Sequence, residues 1–242
     1  MRNGAISAVL EAVTREVPGW SPHDQLLALY SLAVGTSHLE GDIFELGVWC
    51  GRSTVALGLA AGLVGCEIHC VDLFPTRQDW SENADGSYSM RVNLPEGVIE
   101  AYQVQTVWKE PFERDIEPVY RKYPGIREAF DHTIAEFGVA SQVHAHPGTS
   151  SQLLKSPLAS HRYRLAFLDG DHGYEAVCKD IERVAPRLVP GGWICFDDAF
   201  TCYEGVDNAI RDRILADPAF DCGTQITRKM FAARKRVGSA ES

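Results

Sequence analysis

No apolar run in the 242-residue chain approaches the roughly 20 residues that span a bilayer, so no membrane segment is expected. Met1 to Glu16 lacks a basic start followed by an apolar stretch and a small-residue cleavage site, so no secretory signal is read and a cytoplasmic location is expected. Cysteine patterning is also missing. The seven cysteines are scattered, Cys66 and Cys70 are the closest pair, and none belongs to a CxxC or Cys/His zinc pattern, which points to reduced thiols. Basic charge is scarce. With 23 Lys+Arg against 33 Asp+Glu the net charge is −10, which weighs against a nucleic-acid binder with its basic footprint. There is no internal repeat and no low-complexity stretch, and only Val237 to Ser242 reads as a disordered tail.

What remains is an ordinary globular composition, 45% hydrophobic and 23% charged, enough for one sizeable α/β domain rather than two. Ser21-Pro22-His23-Asp24 reads as a helix start, with a capping serine and proline in the first turn. The helix it opens carries Leu26, Leu29, Tyr30 and Ala33 on one stripe. With Ile6 to Glu16 it makes an N-terminal helical extension, residues 1–40. From Asp42 the pattern changes to short apolar strands alternating with amphipathic helices. Strands are expected at 42–46, 67–71, 142–145, 165–168 and 193–196, and helices at 54–63, 126–137, 173–188 and 204–216. That alternation predicts a Rossmann-like, mostly parallel sheet with helices on both faces. Two further strands, near 220–225 and 230–233, would close it as a C-terminal antiparallel hairpin. The core is then 41–72 and 126–236. Residues 73–125 are an insertion rich in Trp80, Tyr88, Tyr102, Trp108, Tyr120 and Tyr123. Such an insertion beside strand ends is a lid or substrate wall, or else a dimer contact.

Ligands of open parallel sheets lie at the carboxyl ends of the strands. The first end reads Glu45-Leu46-Gly47-Val48-Trp49-Cys50-Gly51-Arg52-Ser53, a Gly-x-x-x-Gly turn rather than the Gly-x-Gly-x-x-Gly dinucleotide fingerprint. The second ends in Asp72, about 25 residues past Gly47, where an acid can accept hydrogen bonds from ribose hydroxyls. The fourth ends Asp169-Gly170-Asp171-His172 and the fifth Asp197-Asp198, so up to four carboxylates share one rim. Crowded carboxylates raise one another's pKa unless a cation neutralises them, and an oxygen-rich set suits Mg²⁺ rather than zinc. The alternative is that these acids cap helices without metal.

The acid–glycine turn–acid arrangement resembles class I S-adenosylmethionine-dependent methyltransferases. The Asp-Gly-Asp-His-x-Tyr and Asp-Asp segments resemble bacterial metal-dependent O-methyltransferases of secondary metabolism, the macrocin O-methyltransferase type, and more distantly the catechol and caffeoyl-CoA types. The resemblance spans about Asp42 to Asp207. It implies a cofactor site of Glu45, Gly47, Gly51, Ser53 and Asp72, with Thr149 and Ser150 against the adenine, and Asp169, Asp171 and His172 nearby. It implies metal ligands Asp169, Asp197 and Asp198. His172, three residues after Asp169, stands where catechol-type relatives carry a catalytic lysine, which makes it the candidate base. The expected activity is methylation of a hydroxyl on a small molecule, sugar or phenolic, with S-adenosylmethionine and Mg²⁺. No nucleic-acid or membrane partner is expected, and the N-terminal helices are reasonable elements for a homodimer or higher homo-oligomer. Rivals are a metal-independent N-methyltransferase and a cofactor-binding but inactive partner subunit.

Overall fold

The structure, a computed structural model, describes residues 3–95, 97–101 and 107–238; Tyr102 and residues 239–242 of the expected tail lie outside them. Two helices open the chain, α1 (Asn3–Glu16) and α2 (His23–Gly35). No side chain caps α2: Pro22 takes the cap position, and Ser21 is buried with its carbonyl accepting from Arg52 Nη1 at 3.2 Å. The expected serine cap is therefore replaced by an anchor to Arg52.

The core alternates as anticipated: β1 (Asp42–Leu46), α3 (Arg52–Val64) and β2 (Ile68–Asp72), then an excursion. The excursion holds β3 (Trp80–Glu82), β4 (Ser87–Leu94), β5 (Gly97–Ala101), β6 (Val107–Trp108), α4 (Lys109–Pro111) and, after a π-helical turn, α5 (Glu117–Lys122). The core resumes with α6 (Ile126–Glu136), β7 (Val143–Pro147), β8 (Tyr163–Leu168), α7 (Tyr174–Val184), β9 (Leu188–Phe196), α8 (Glu204–Ile210), β10 (Phe220–Gln225) and β11 (Phe231–Lys235). Seven strands form the main sheet in the order β10-β11-β9-β8-β1-β2-β7. The five from β9 to β7 run parallel, and β11 is antiparallel to both β9 and β10. The chain leaves β1 toward β2 on one side and returns to β8 on the other, so a crevice opens where β1 and β8 part.

Every residue of β8 is buried, as expected of a strand covered on both faces. On one face α1, α2, α3 and α6 pack over Ile43, Ile68, Leu165 and Phe167; on the other, α7 and α8 pack over Phe44, Ala166 and Ile194. Helix α7 buries Val177, Cys178, Ile181 and Val184, one stripe at helical spacing. Burying one such Phe or Leu contributes about 1.5–3 kcal/mol, so the sheet is rigid enough to fix the loops at its ends.

The excursion folds as its own antiparallel sheet, which the sequence reading did not anticipate. β4 pairs β3 on one edge and β5 and β6 on the other. Its aromatics mostly build its own core: Tyr88 stacks on Phe112 at 3.8 Å, and Trp80 packs against Phe112 and donates to Tyr120 Oη at 2.8 Å. No helix among the described residues is long and apolar enough to cross a membrane.

Candidate active site

A cavity of about 1260 Å³ opens at the carboxyl ends of β1, β2, β8 and β9. The excursion walls it with Met90, Val98, Ile99, Val107 and Ile116 and with the charged Glu100, Arg114 and Asp115, and none of its described aromatic residues lines it. The N-terminal link adds Trp20, whose ring lies 5.6 Å from Trp49. Neither contribution has a periodic signal in the sequence.

The turn after β1 is held in a costly shape. Gly47 has φ +79°, and a Cβ there would sit 1.8 Å from the Asp169 carbonyl, so only glycine lets the β1 and β8 ends approach this closely. Trp49 follows with φ 47°, unfavourable for an aromatic residue. Asp72 compensates: its Oδ2 accepts the N–H groups of Val48 at 2.8 Å and Trp49 at 3.1 Å, and its Oδ1 accepts that of Phe74 at 2.7 Å. Burial pushes the Asp72 carboxyl up, and these backbone donors pull against that rise. Asp72 is therefore the clasp of the glycine turn as well as a cavity-lining acid.

Gly47, Ser53, Asp72, Thr149, Ser150, Asp169, Asp171, His172, Asp197 and Asp198 all line the cavity. Glu45 and Gly51 do not. Glu45 is fully buried behind the turn, accepting from Thr54 Oγ1 at 2.7 Å and Cys70 Sγ at 3.4 Å, and burial lifts its carboxyl to about 7. Gly51 has φ +89° and faces Phe130, where a Cβ would lie 3.1 Å from the ring. Both shape the turn from below. Ser150 Oγ donates to Asp180 and accepts from Arg183 Nη1 at 2.8 Å, so the loop after β7 is tied to α7. Burial lifts Asp180 to about 6.

The acidic rim contains a cation that the sequence reading missed. Lys229, on the turn between β10 and β11, is 8% exposed, and its Nζ lies 2.9 Å from Asp197 Oδ2 and 3.3 Å from Asp198 Oδ1. Burial alone would lower its pKa, but Asp197, Asp169 and Asp198 hold it above the usual lysine value. Gln25 of α2 donates from Nε2 to Asp197 Oδ1 at 2.9 Å, so both oxygens of Asp197 are engaged. Asp169 is pushed well up by burial and by Asp197 beside it. Asp198, at a left-handed φ of 54°, goes the other way: burial would raise it, but His172 and Lys229 outweigh burial and hold it low. His172 Nε2 lies 3.2 Å from Asp198 Oδ2, and its ring stacks on Tyr203 at 4.1 Å.

Of the three expected ligands, then, Asp197 has one oxygen engaged by Gln25 and the other by Lys229. Asp169, His172 and Asp198 bring one donor atom each to within 4.8 Å of one another. Two carboxylates and an imidazole fit a divalent ion, though the imidazole is a less usual donor to Mg²⁺ than oxygen.

A methyltransferase-domain family model matches residues 44–199. Among solved structures, the O-methyltransferase NovP is similar at 16% identity over 91% of this chain and 84% of that one, TM-score 0.60. CalS11, a calicheamicin methyltransferase, is similar at 19% identity over 96% and 91%, TM-score 0.57. The O-methyltransferase TomG from Streptomyces achromogenes, involved in tomaymycin synthesis and solved in complex with S-adenosylmethionine, is similar at 15% identity over 96% and 90%, TM-score 0.57. At these identities the likeness is one of fold.

Proposed function

The chain belongs to the methyltransferase-domain family, an S-adenosylmethionine-dependent one, and from that premise we propose that it methylates a hydroxyl oxygen of a small molecule. The observation that carries this reading is the position of Asp169, His172 and Asp198 in the same cavity as Gly47, Ser53 and Asp72. A proton acceptor thus stands beside the residues that would hold the cofactor, which supplies the methyl group. The NovP and TomG names as O-methyltransferases, and that of CalS11 as TDP-rhamnose 3′-O-methyltransferase, support a hydroxylated acceptor, sugar or phenolic, of the kind made in secondary metabolism.

A hydroxyl is a poor nucleophile until its proton leaves, and a positioned base is typically worth 10²–10⁴-fold. Asp198 Oδ2 lies 3.2 Å from His172 Nε2, so it orients the imidazole for its role as base. Tyr203 fixes the ring plane by stacking. Asp169, His172 and Asp198 would alternatively hold Mg²⁺, which supplies a Lewis acid that makes the acceptor hydroxyl easier to deprotonate. In that version His172 is a ligand and not the base. The reading without an ion has its own observation, the Lys229 ammonium already neutralising Asp197 and Asp198.

Incubation with S-adenosylmethionine and a panel of nucleotide sugars, catechols and amines, with and without chelator, tests the proposal through release of S-adenosylhomocysteine. An O-methyl ether product is expected. Loss of turnover in chelator, restored by Mg²⁺, selects the metal version, and full turnover selects the His172–Asp198 base. Methyl transfer only to amine nitrogen would sink the proposal.

A further inference from the structure

Four histidines cluster along β2, β7 and the approach to β8, three of them toward the amino-terminal rim of the main sheet, and none of them lines the cavity. His69 is the second residue of β2, His144 and His146 lie on β7 beside it, and His161 precedes β8. Asp42, the first residue of β1, faces the same spot.

His69 is 4% exposed, and its Nε2 has no hydrogen-bond partner among the described residues. A buried ring nitrogen left unmatched is costly, which makes its surroundings informative. What faces Nε2 is a carboxylate oxygen: Asp42 Oδ2 lies 3.7 Å away, and the same oxygen lies 3.1 Å from His161 Nδ1. Asp42 is aimed inward because its other oxygen accepts the Glu67 N–H at 3.2 Å. The three residues bring donor atoms within 4.8 Å of one another. Tetrahedral zinc with bonds of about 2.0–2.1 Å separates its ligand atoms by about 3.4 Å, between the two distances seen here.

The other ring nitrogen of His69 is held too. Nδ1 lies 3.4 Å from His146 Nε2, and when Nδ1–H donates there, the His69 lone pair falls on Nε2, facing Asp42. His144 is paired outward with Glu67 at 3.2 Å.

We infer that this rim is a zinc-type metal site in which Asp42, His69 and His161 are the ligands and His146 orients His69. Two imidazoles and one carboxylate suit Zn²⁺ or Co²⁺ and not Mg²⁺ or Ca²⁺, which take oxygen donors. His161 is partly exposed, so water reaches the fourth position. The ion would clamp β1, β2 and the approach to β8 together, far from the methyl-transfer chemistry.

The test uses the full-length protein without a histidine tag, stripped by dialysis against chelator and titrated with ZnCl₂ by calorimetry and with CoCl₂ by visible absorption. Because the Asp169–His172–Asp198 group could take zinc as well, the comparison is between variants. His161→Gln and Asp42→Asn should each lose one zinc equivalent that Asp198→Asn retains. His146→Ala should keep it with about 10–100-fold weaker affinity. In the wild-type protein, zinc but not Mg²⁺ should protect His161 from carbethoxylation, a readout that does not depend on any variant folding. If His161→Gln and Asp42→Asn bind as many equivalents as the wild type, or His161 reacts equally with and without zinc, the inference is overturned.

Discussion

Replacing Lys229 by methionine tests the acidic rim most directly. The ammonium is buried, 2.9 Å from Asp197 and 3.3 Å from Asp198, with Asp169 also raising its pKa. Methionine keeps much of the stem volume and deletes the charge. Removing one partner of a buried pair, which leaves the other charge uncompensated, costs about 3–5 kcal/mol. For a chain of this size each kcal/mol lowers Tm by about 2–4 °C, so Lys229→Met should melt about 6–20 °C below wild type at neutral pH. The pH dependence has a definite sign. In the wild type Asp198 is held below its ordinary value, so its contribution is present above the unfolded carboxylate pKa and is lost as pH falls through the lower, folded value. Without the ammonium the remaining carboxylates are raised instead, so the variant should recover ground on wild type as pH falls toward 5. Adding Asp197→Asn to Lys229→Met should restore part of the loss, and the double-mutant cycle gives the coupling. The assay is thermal unfolding followed by circular dichroism at several pH values. A variant melting within about 2 °C of wild type at pH 7, with no pH-dependent gap, would show that Lys229 is not the counter-charge of the rim.

Three further outcomes are expected. Asp72→Ala should weaken S-adenosylmethionine binding by about 1.5–3 kcal/mol, one to two orders of magnitude, by calorimetry; because Asp72 also clasps Val48 and Trp49, unchanged affinity with the fold intact would remove it from the site. His172→Ala should lower kcat by about 10²–10⁴-fold with cofactor affinity intact, and a variant within about threefold of wild type would make His172 merely structural. Glu45, lifted by burial to about 7, keeps its proton longer folded than unfolded, so wild-type stability should fall as pH rises from about 4.5 to 7, on the order of 3 kcal/mol; urea unfolding of Glu45→Gln should lack that slope, and parallel curves would place the ionisation elsewhere.

The sheet was legible because its strands are short, buried and apolar, and because the helices between them carry single stripes, as α7 does with Val177, Ile181 and Val184. The glycine turn was legible because Gly47 and Gly51 must adopt positive φ, which restricts the residue types there. Three things were not. The excursion strands were hidden since Ser87–Leu94 buries Ser87 and Tyr88 in succession and breaks the alternation that marks a half-buried strand. Glu45 read as a ligand contact, but its carboxylate points away from the cavity to Thr54 and Cys70. Lys229 stands 31 residues from Asp198, on a hairpin whose fold-back alone delivers it. No local pattern announces a counter-ion that topology supplies.

That topology explains why a hairpin antiparallel to the rest belongs to this site. β11 pairs with β9 from Phe231↔Phe196 to Arg234↔Trp193, so the turn before β11 necessarily lands beside the end of β9, where Asp197 and Asp198 begin. A parallel strand there would present its carboxyl end at the same rim, and the residues just before it would lie at the far edge of the sheet. The reversal thus puts Lys229 within reach of the acids, while Gln25 reaches Asp197 from α2 on the sheet's other side. Asp197 is consequently fixed from two directions. Its neighbour Asp198, forced into a left-handed turn, is left to face His172 and the cavity. Adjacent acids of identical chemistry thereby acquire different surroundings, Asp197 held between the hairpin and α2, Asp198 between Lys229 and the His172 imidazole.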